Sequence, residues 1–208
     1  MSPSAGGALQ RLHQSVWVAP SAQLYGRIEI GEGSSVWHNV VARAECVEIR
    51  IGRMTNVQDF AMIHVGYEWP TLIGDFCSIT HRAVVHGCRL EDDVLVGIGA
   101  VVMDGAEIGA GSIVAAGAVV LEGKRFPPHS VIAGVPARVI AERDSSRANR
   151  MNAWMYHRNA EAYRRGDHRA WEGPDFEAWQ RAKAAEVEAD RDRPRSGGPS
   201  RRARGGGA

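Results

Sequence analysis

Aromatic residues are scarce in this 208-residue chain: four phenylalanines, four tyrosines and six tryptophans, 7% in all. Too few large rings remain for an aromatic-packed core, and the 24 glycines exclude a long helical bundle over most of the chain. Long apolar runs are also missing. No stretch approaches the roughly 18 residues of a membrane span, and Met1 to Val16 holds no apolar segment able to serve as a secretion signal. Net charge is only +1, so the chain is not generally basic and nucleic acid is not an expected partner. Cysteine is low and odd in number. Cys46, Cys77 and Cys88 fit neither a disulfide framework nor a zinc knuckle, which points to small buried fillers and a cytoplasmic home.

Enough apolar residues are present, 44%, to bury a core. Residues 191 to 208 cannot contribute: six arginines, one aspartate and no apolar side chain larger than alanine give a segment expected to stay disordered. Residues 1–15 read as an N-terminal arm, 16–140 as a repeat domain and 145–190 as C-terminal helices.

The repeat is the main signal. Leu90, Val96, Val102, Ile108, Val114 and Val120 follow one another at six-residue steps. Three upstream runs share the step: Ile73, Ile79, Val85; Ile51, Val57, Ile63; and Ile30, Val36, Ala42. Longer steps from Ala42 to Ile51 and from Ile63 to Ile73 read as insertions at turns. Six suits neither a helix nor a simple alternating strand. It marks a parallel β-helix of hexapeptide repeats, three hexads closing one coil, with glycines at the corners. About five coils are expected, giving a prism roughly 25 Å tall. After Val120 the pattern is expected to stop at the prolines of GKRFPPHSVIAGVPARVI. Beyond it, Ser145 or Ser146 can cap a helix with Met151, Trp154, Met155, Ala162 and Tyr163 on its apolar face. Gly173 and Pro174 precede a second helix containing Phe176 and Trp179.

Folding the hexads into coils places the histidines. Ala42, Ile63 and Val85 share one edge, so Arg43, His64 and His86 stack one coil apart. At about 4.8 Å spacing, two imidazoles can reach one metal ion. His81 and Asp59 stack on a different edge, too far within one chain to join them. A three-fold oligomer would bring the His81 edge of one subunit to the His64/His86 edge of the next, and Asp59 toward the neighbouring Arg43. Three neutral imidazoles leave a tetrahedral metal one open position, the catalytic arrangement.

The stretches SSVWHNVVARAE, IGRMTNVQD, IGDFCSITHRAVVHGC, VGIGAVVMDGAEIG and IAGVPARVI resemble the γ-class carbonic anhydrases and their hexapeptide-repeat relatives, over roughly residues 15 to 165. The resemblance implies a mainly β fold, a left-handed parallel β-helix with C-terminal α-helices, assembled as a homotrimer. It implies a metal at each interface, zinc with iron or cobalt also suited to imidazole, held by His64 and His86 of one chain and His81 of the next. Arg43 and Asp59 become interface ion-pair residues, with Glu45 in place of the family's aspartate, and Gln58 and Asn56 lie near the metal's solvent. The segment NAEAY would bring Tyr163 near a neighbouring site. The family's His-Gly-Ala is here His81-Arg82-Ala83, and GYEWP after His64 sets Tyr67, Glu68 and Trp69 at the site's mouth.

The implied activity is reversible hydration of carbon dioxide to bicarbonate, the metal lowering the pKa of bound water to about 7, Gln58 orienting it and Glu68 carrying the proton away. Two alternatives are hydrolysis of small acyl-CoA thioesters or other esters, which the aromatic insertion and Arg82 would serve, and a non-catalytic scaffold that keeps the metal for stability. Acyl transfer ranks last, because those hexapeptide enzymes rarely carry three metal histidines in this pattern.

Overall fold

The computed structural model describes residues 9–189. Most of the N-terminal arm and the tail expected to be disordered lie outside them. The six-residue step is realised as a parallel β-helix. One face carries seven parallel rungs: Trp17–Val18, Ser35–Val36, Asn56–Val57, Ser78–Ile79, Leu95–Val96, Ile113–Val114 and Ser130–Gly134. The final strand, Ala137–Glu142, folds back antiparallel on the last of these. Every residue of the Leu90 to Val120 series is fully buried. Each such aliphatic side chain contributes about 1.5–3 kcal/mol by leaving water, and stacking them coil on coil makes one continuous core.

Seven coils replace the expected five because the repeat runs further in both directions. Leu24 and Val18 lie six and twelve residues before Ile30 and pack against the same core. At the other end Phe126 and Ile132 continue the step beyond Val120, pairing with Ile108 and Val114. Pro127 and Pro128 do not stop the pattern, because they occupy a corner where no ladder N–H is needed. The Ala42–Ile51 insertion is not a turn either: Val41–Ile51 is one strand bent around a corner. The insertion after Ile63 does form a loop, between Met62–His64 and Thr71–Ile73.

Corners recur at six-residue steps, at Asp93, Gly99, Gly105, Gly111, Gly117, Gly123 and His129, each with φ between +58° and +68°. Gly97 serves a different need. A Cβ there would lie 2.5 Å from the backbone N of Ala116 on the next coil, so close approach of two backbones, not a positive φ, requires glycine.

Helix α1, Ser146–Arg164, lies along the seven-rung face of its own solenoid. Asp144 Oδ1 accepts from the Ser146 N–H at 2.9 Å, while Ser145 makes no side-chain cap. The docking face is Asn149, Ala153, Tyr156 and Ala160; of the expected apolar face, Met151, Trp154, Met155 and Tyr163 are only half-buried. Asn149 Nδ2 donates to the Asp93 carbonyl at 2.8 Å, and Arg150 holds the buried Asp93 carboxylate at 2.8 and 2.9 Å. Helix α2, Pro174–Ala189, packs on α1. Among the described residues no helix is long and apolar enough to cross a membrane. Cys77 and Cys88 are buried, and burial pushes both thiols well above their usual range. Cys46 is exposed and so is not a core filler.

Candidate functional site

Strand register sets the first group of side chains. Arg43 pairs with His64 and His64 with His86 on successive coils, so the three stack as the hexads require. His64 Nδ1 lies 2.9 Å from His86 Nε2. Glu45 Oε2 takes the other nitrogen of His64, Nε2, at 3.0 Å and also pairs with Arg43. Burial would raise the Glu45 carboxyl, but the His64 hydrogen bond, its own backbone N–H and the Arg43 charge outweigh that and hold it below the usual carboxylate range. Asp104 Oδ1 takes His86 Nδ1 at 2.5 Å. It reaches that far because Gly87 and Gly66 have no side chains: a Cβ on Gly87 would lie 2.1 Å from Asp104 Oδ1.

The second group sits on the seven-rung face, against α1. His81 Nδ1 is 3.1 Å from Asp59 Oδ2, and its Nε2 is 3.4 Å from the Tyr156 hydroxyl. One coil lower, Asn56 and Gln58 are buried, with Gln58 Nε2 donating to Asn56 Oδ1 at 2.9 Å. Burial, with the nearby Asp59 and Tyr163, raises the Tyr156 hydroxyl to about 12.

Each of the three histidines thus has its own carboxylate: Glu45 for His64, Asp59 for His81, Asp104 for His86. A carboxylate accepts, so the nitrogen facing it carries the proton and the other presents a lone pair. The nitrogens that do not face a carboxylate are His64 Nδ1 and His86 Nε2, which face each other, and His81 Nε2, which faces the Tyr156 hydroxyl. Two bonds of about 2.0–2.1 Å at a tetrahedral angle separate their nitrogens by roughly 3.3 Å, close to the His64–His86 spacing. This donor chemistry fits a divalent metal, with an outer carboxylate on every imidazole. Within one chain, among the described residues, no three His, Cys, Asp or Glu side chains converge as metal donors.

Comparison with known proteins gives a family. The model for bacterial transferase hexapeptide (six repeats) matches residues 87–122. A probable carbonic anhydrase from Methanocaldococcus jannaschii is 47% identical over 131 residues, 63% of this chain and 82% of that relative. The chain belongs to the γ-class carbonic anhydrase family. Gamma carbonic anhydrase 2, mitochondrial, from Arabidopsis thaliana is 39% identical over 131 residues, 60% of this chain and about half, 47%, of that longer relative. Among solved structures, a putative acetyltransferase from Bacillus cereus superposes with a TM-score of 0.72 at 31% identity, covering 74% of this chain and 91% of that one.

His64, His86, Arg43 and Glu45 form one group; His81, Asp59, Asn56 and Gln58 form the other. Arg43 and Asp59 have partners within the chain, Glu45 and His81 respectively. Tyr67 and Glu68 project into solvent, whereas Trp69 packs over Gly87 and Gly105. Tyr163 meets Trp17 and Trp37 edge to face and His38 at a tilt, and it is Tyr156, two turns earlier on α1, that touches His81. Asp104 and Tyr156 join these groups in addition to the expected residues. The six-residue step is enough to place Asp104: two residues after Val102, it stands one coil beyond Gly87, beside His86. Tyr156 gave no such signal, because α1 docks through a partly polar face.

Proposed function

We propose that the chain is a metal-dependent γ-type carbonic anhydrase that interconverts carbon dioxide and bicarbonate at sites shared between subunits of a homotrimer. The observation that supports this most is the division of three carboxylate-held histidines between two separate faces of a γ-carbonic anhydrase chain. His64 and His86 would hold the metal from one subunit and His81 from the next. Zinc suits imidazole donors, as do ferrous iron and cobalt. When bound, the metal supplies the Lewis acidity that lowers the pKa of a coordinated water to about 7. Gln58, held by Asn56, orients the attacking water against the carbon of carbon dioxide. Glu68, exposed on the loop after His64, accepts the released proton and passes it to buffer. Arg43 and Asp59, each at the edge of its own group, would meet across the same interface.

A second reading, hydrolysis of a small acyl thioester or ester, is favoured by Arg82. Exposed beside His81 and 5.9 Å over the Phe60 ring, it offers a cation to an anionic substrate larger than bicarbonate. Stopped-flow carbon dioxide hydration, on protein prepared anaerobically with zinc or with iron, tests the first reading. Metal-dependent turnover supports it; metal-replete trimer with none, but with thioesterase activity, supports the second.

A further inference from the structure

A line of buried polar side chains runs from helix α1 to Gln58. Asn152 Nδ2 on α1 donates to Ser78 Oγ at 2.8 Å. Asn56 Nδ2 donates to the same oxygen at 2.9 Å, and lies 3.3 Å from the Cys77 carbonyl. Gln58 Nε2 then donates to Asn56 Oδ1 at 2.9 Å. Ser78, Asn56 and Gln58 are all at most 2% exposed, so water does not compete for the bonds among these three, and Asn152 is half-buried.

We propose that Asn152 and Ser78 are positioning residues that set which end of the Gln58 amide is offered to substrate. The Cys77 carbonyl can only accept, so the Asn56 atom beside it is the nitrogen, and Asn56 Oδ1 must face Gln58. Gln58 is therefore obliged to give Asn56 its N–H, which leaves Oε1, an acceptor, as the end not held by Asn56. An acceptor there takes the O–H of an attacking water and turns a lone pair toward an electron-poor carbon; an N–H there would bind the lone pair instead. Ser78 completes the arrangement by taking the second Asn56 N–H, and Asn152 fixes the Ser78 hydroxyl by donating to the same oxygen. Because Asn152 belongs to α1, helix docking and Gln58 orientation are coupled.

The catalytic consequence rests on the proposed role of Gln58 in hydration, whereas the hydrogen-bond relay does not, and the test separates them. In the metal-free full-length protein, the side-chain N–H groups of Gln58 are followed by NMR hydrogen exchange in wild type, Asn152→Ala and a control on the same helix, Asn159→Ala. Loss of one ordinary hydrogen bond from the relay should speed Gln58 exchange by about tenfold in Asn152→Ala and leave the control unchanged. In metal-loaded protein, Asn152→Ala should lower kcat with KM and metal content retained. Unchanged Gln58 exchange in Asn152→Ala overturns the relay. A changed exchange with unchanged kcat overturns its positioning role. If wild type itself does not hydrate carbon dioxide but Gln58 responds to Asn152→Ala, the relay stands and the reaction proposed above fails.

Discussion

Asp104 Oδ1 lies 2.5 Å from His86 Nδ1, in a niche that exists only because residues 66 and 87 are glycine. Asp59 stands in the same relation to His81 at 3.1 Å, on another face of the solenoid. A carboxylate facing an imidazole favours one tautomer and one ring angle. Replacing Asp104 by alanine should weaken zinc binding about 10- to 100-fold, measured by chelator competition, while leaving assembly intact. Unchanged affinity would mean that Asp104 serves packing alone.

Glycine matters differently at two corners of like backbone. Gly87 (φ +53°) and Gly117 (φ +68°) would each strain an alanine, at about 1–2 kcal/mol. A Cβ on Gly117 meets nothing within 4 Å, whereas on Gly87 it would strike Asp104 Oδ1 and approach Trp69 Cβ at 2.9 Å. Thermal unfolding should show Gly87→Ala to be clearly the more damaging substitution, with loss of the Asp104–His86 contact. Equal effects would show that backbone strain is the whole cost.

Tyr156 should shape the alkaline limit of stability. Burial raises its hydroxyl to about 12 in the folded chain, against about 10 when unfolded. Between these values the unfolded chain gives up the proton and the folded chain keeps it, so the folded state binds more protons and stability falls as pH rises. The contribution is fully present below about pH 10 and is lost on passing through about 12. Tyr156→Phe should flatten the stability profile over that window in denaturant titrations. A profile identical to wild type would place the tyrosine in solvent.

Much of this was readable from the residues. The six-residue step names the core from Ile30 to Val120, and the same arithmetic stacks Arg43, His64 and His86. What it missed has physical causes. The outer coils are hard to see in the sequence because Phe126 and the half-buried Leu24 and Val18 vary the size and burial of the core position, and because prolines at a corner look like breakers. The docking face of α1 is only partly legible in the sequence, Ala162 being buried as expected, because the solenoid offers the rest of that face polar partners. Asn149 and Asn152 dock by hydrogen bonds to Asp93, Ser112 and Ser78, and no hydropathy period reports such a face. The family resemblance implies an interface pair for Glu45, and the structure adds its contact to His64, across a coil and therefore distant in sequence.

Subunit exchange tests the central claim most directly. His81→Ala and His64→Ala chains should each bind little metal and show no hydration activity. Once mixed and allowed to exchange, some interfaces take His64 and His86 from a His81→Ala chain and His81 from a His64→Ala chain, and those interfaces carry all three imidazoles. Metal content and activity should then partly return. A site confined to one chain would be broken in every subunit, and a mixture shown to exchange that recovers neither metal nor activity would contradict the account.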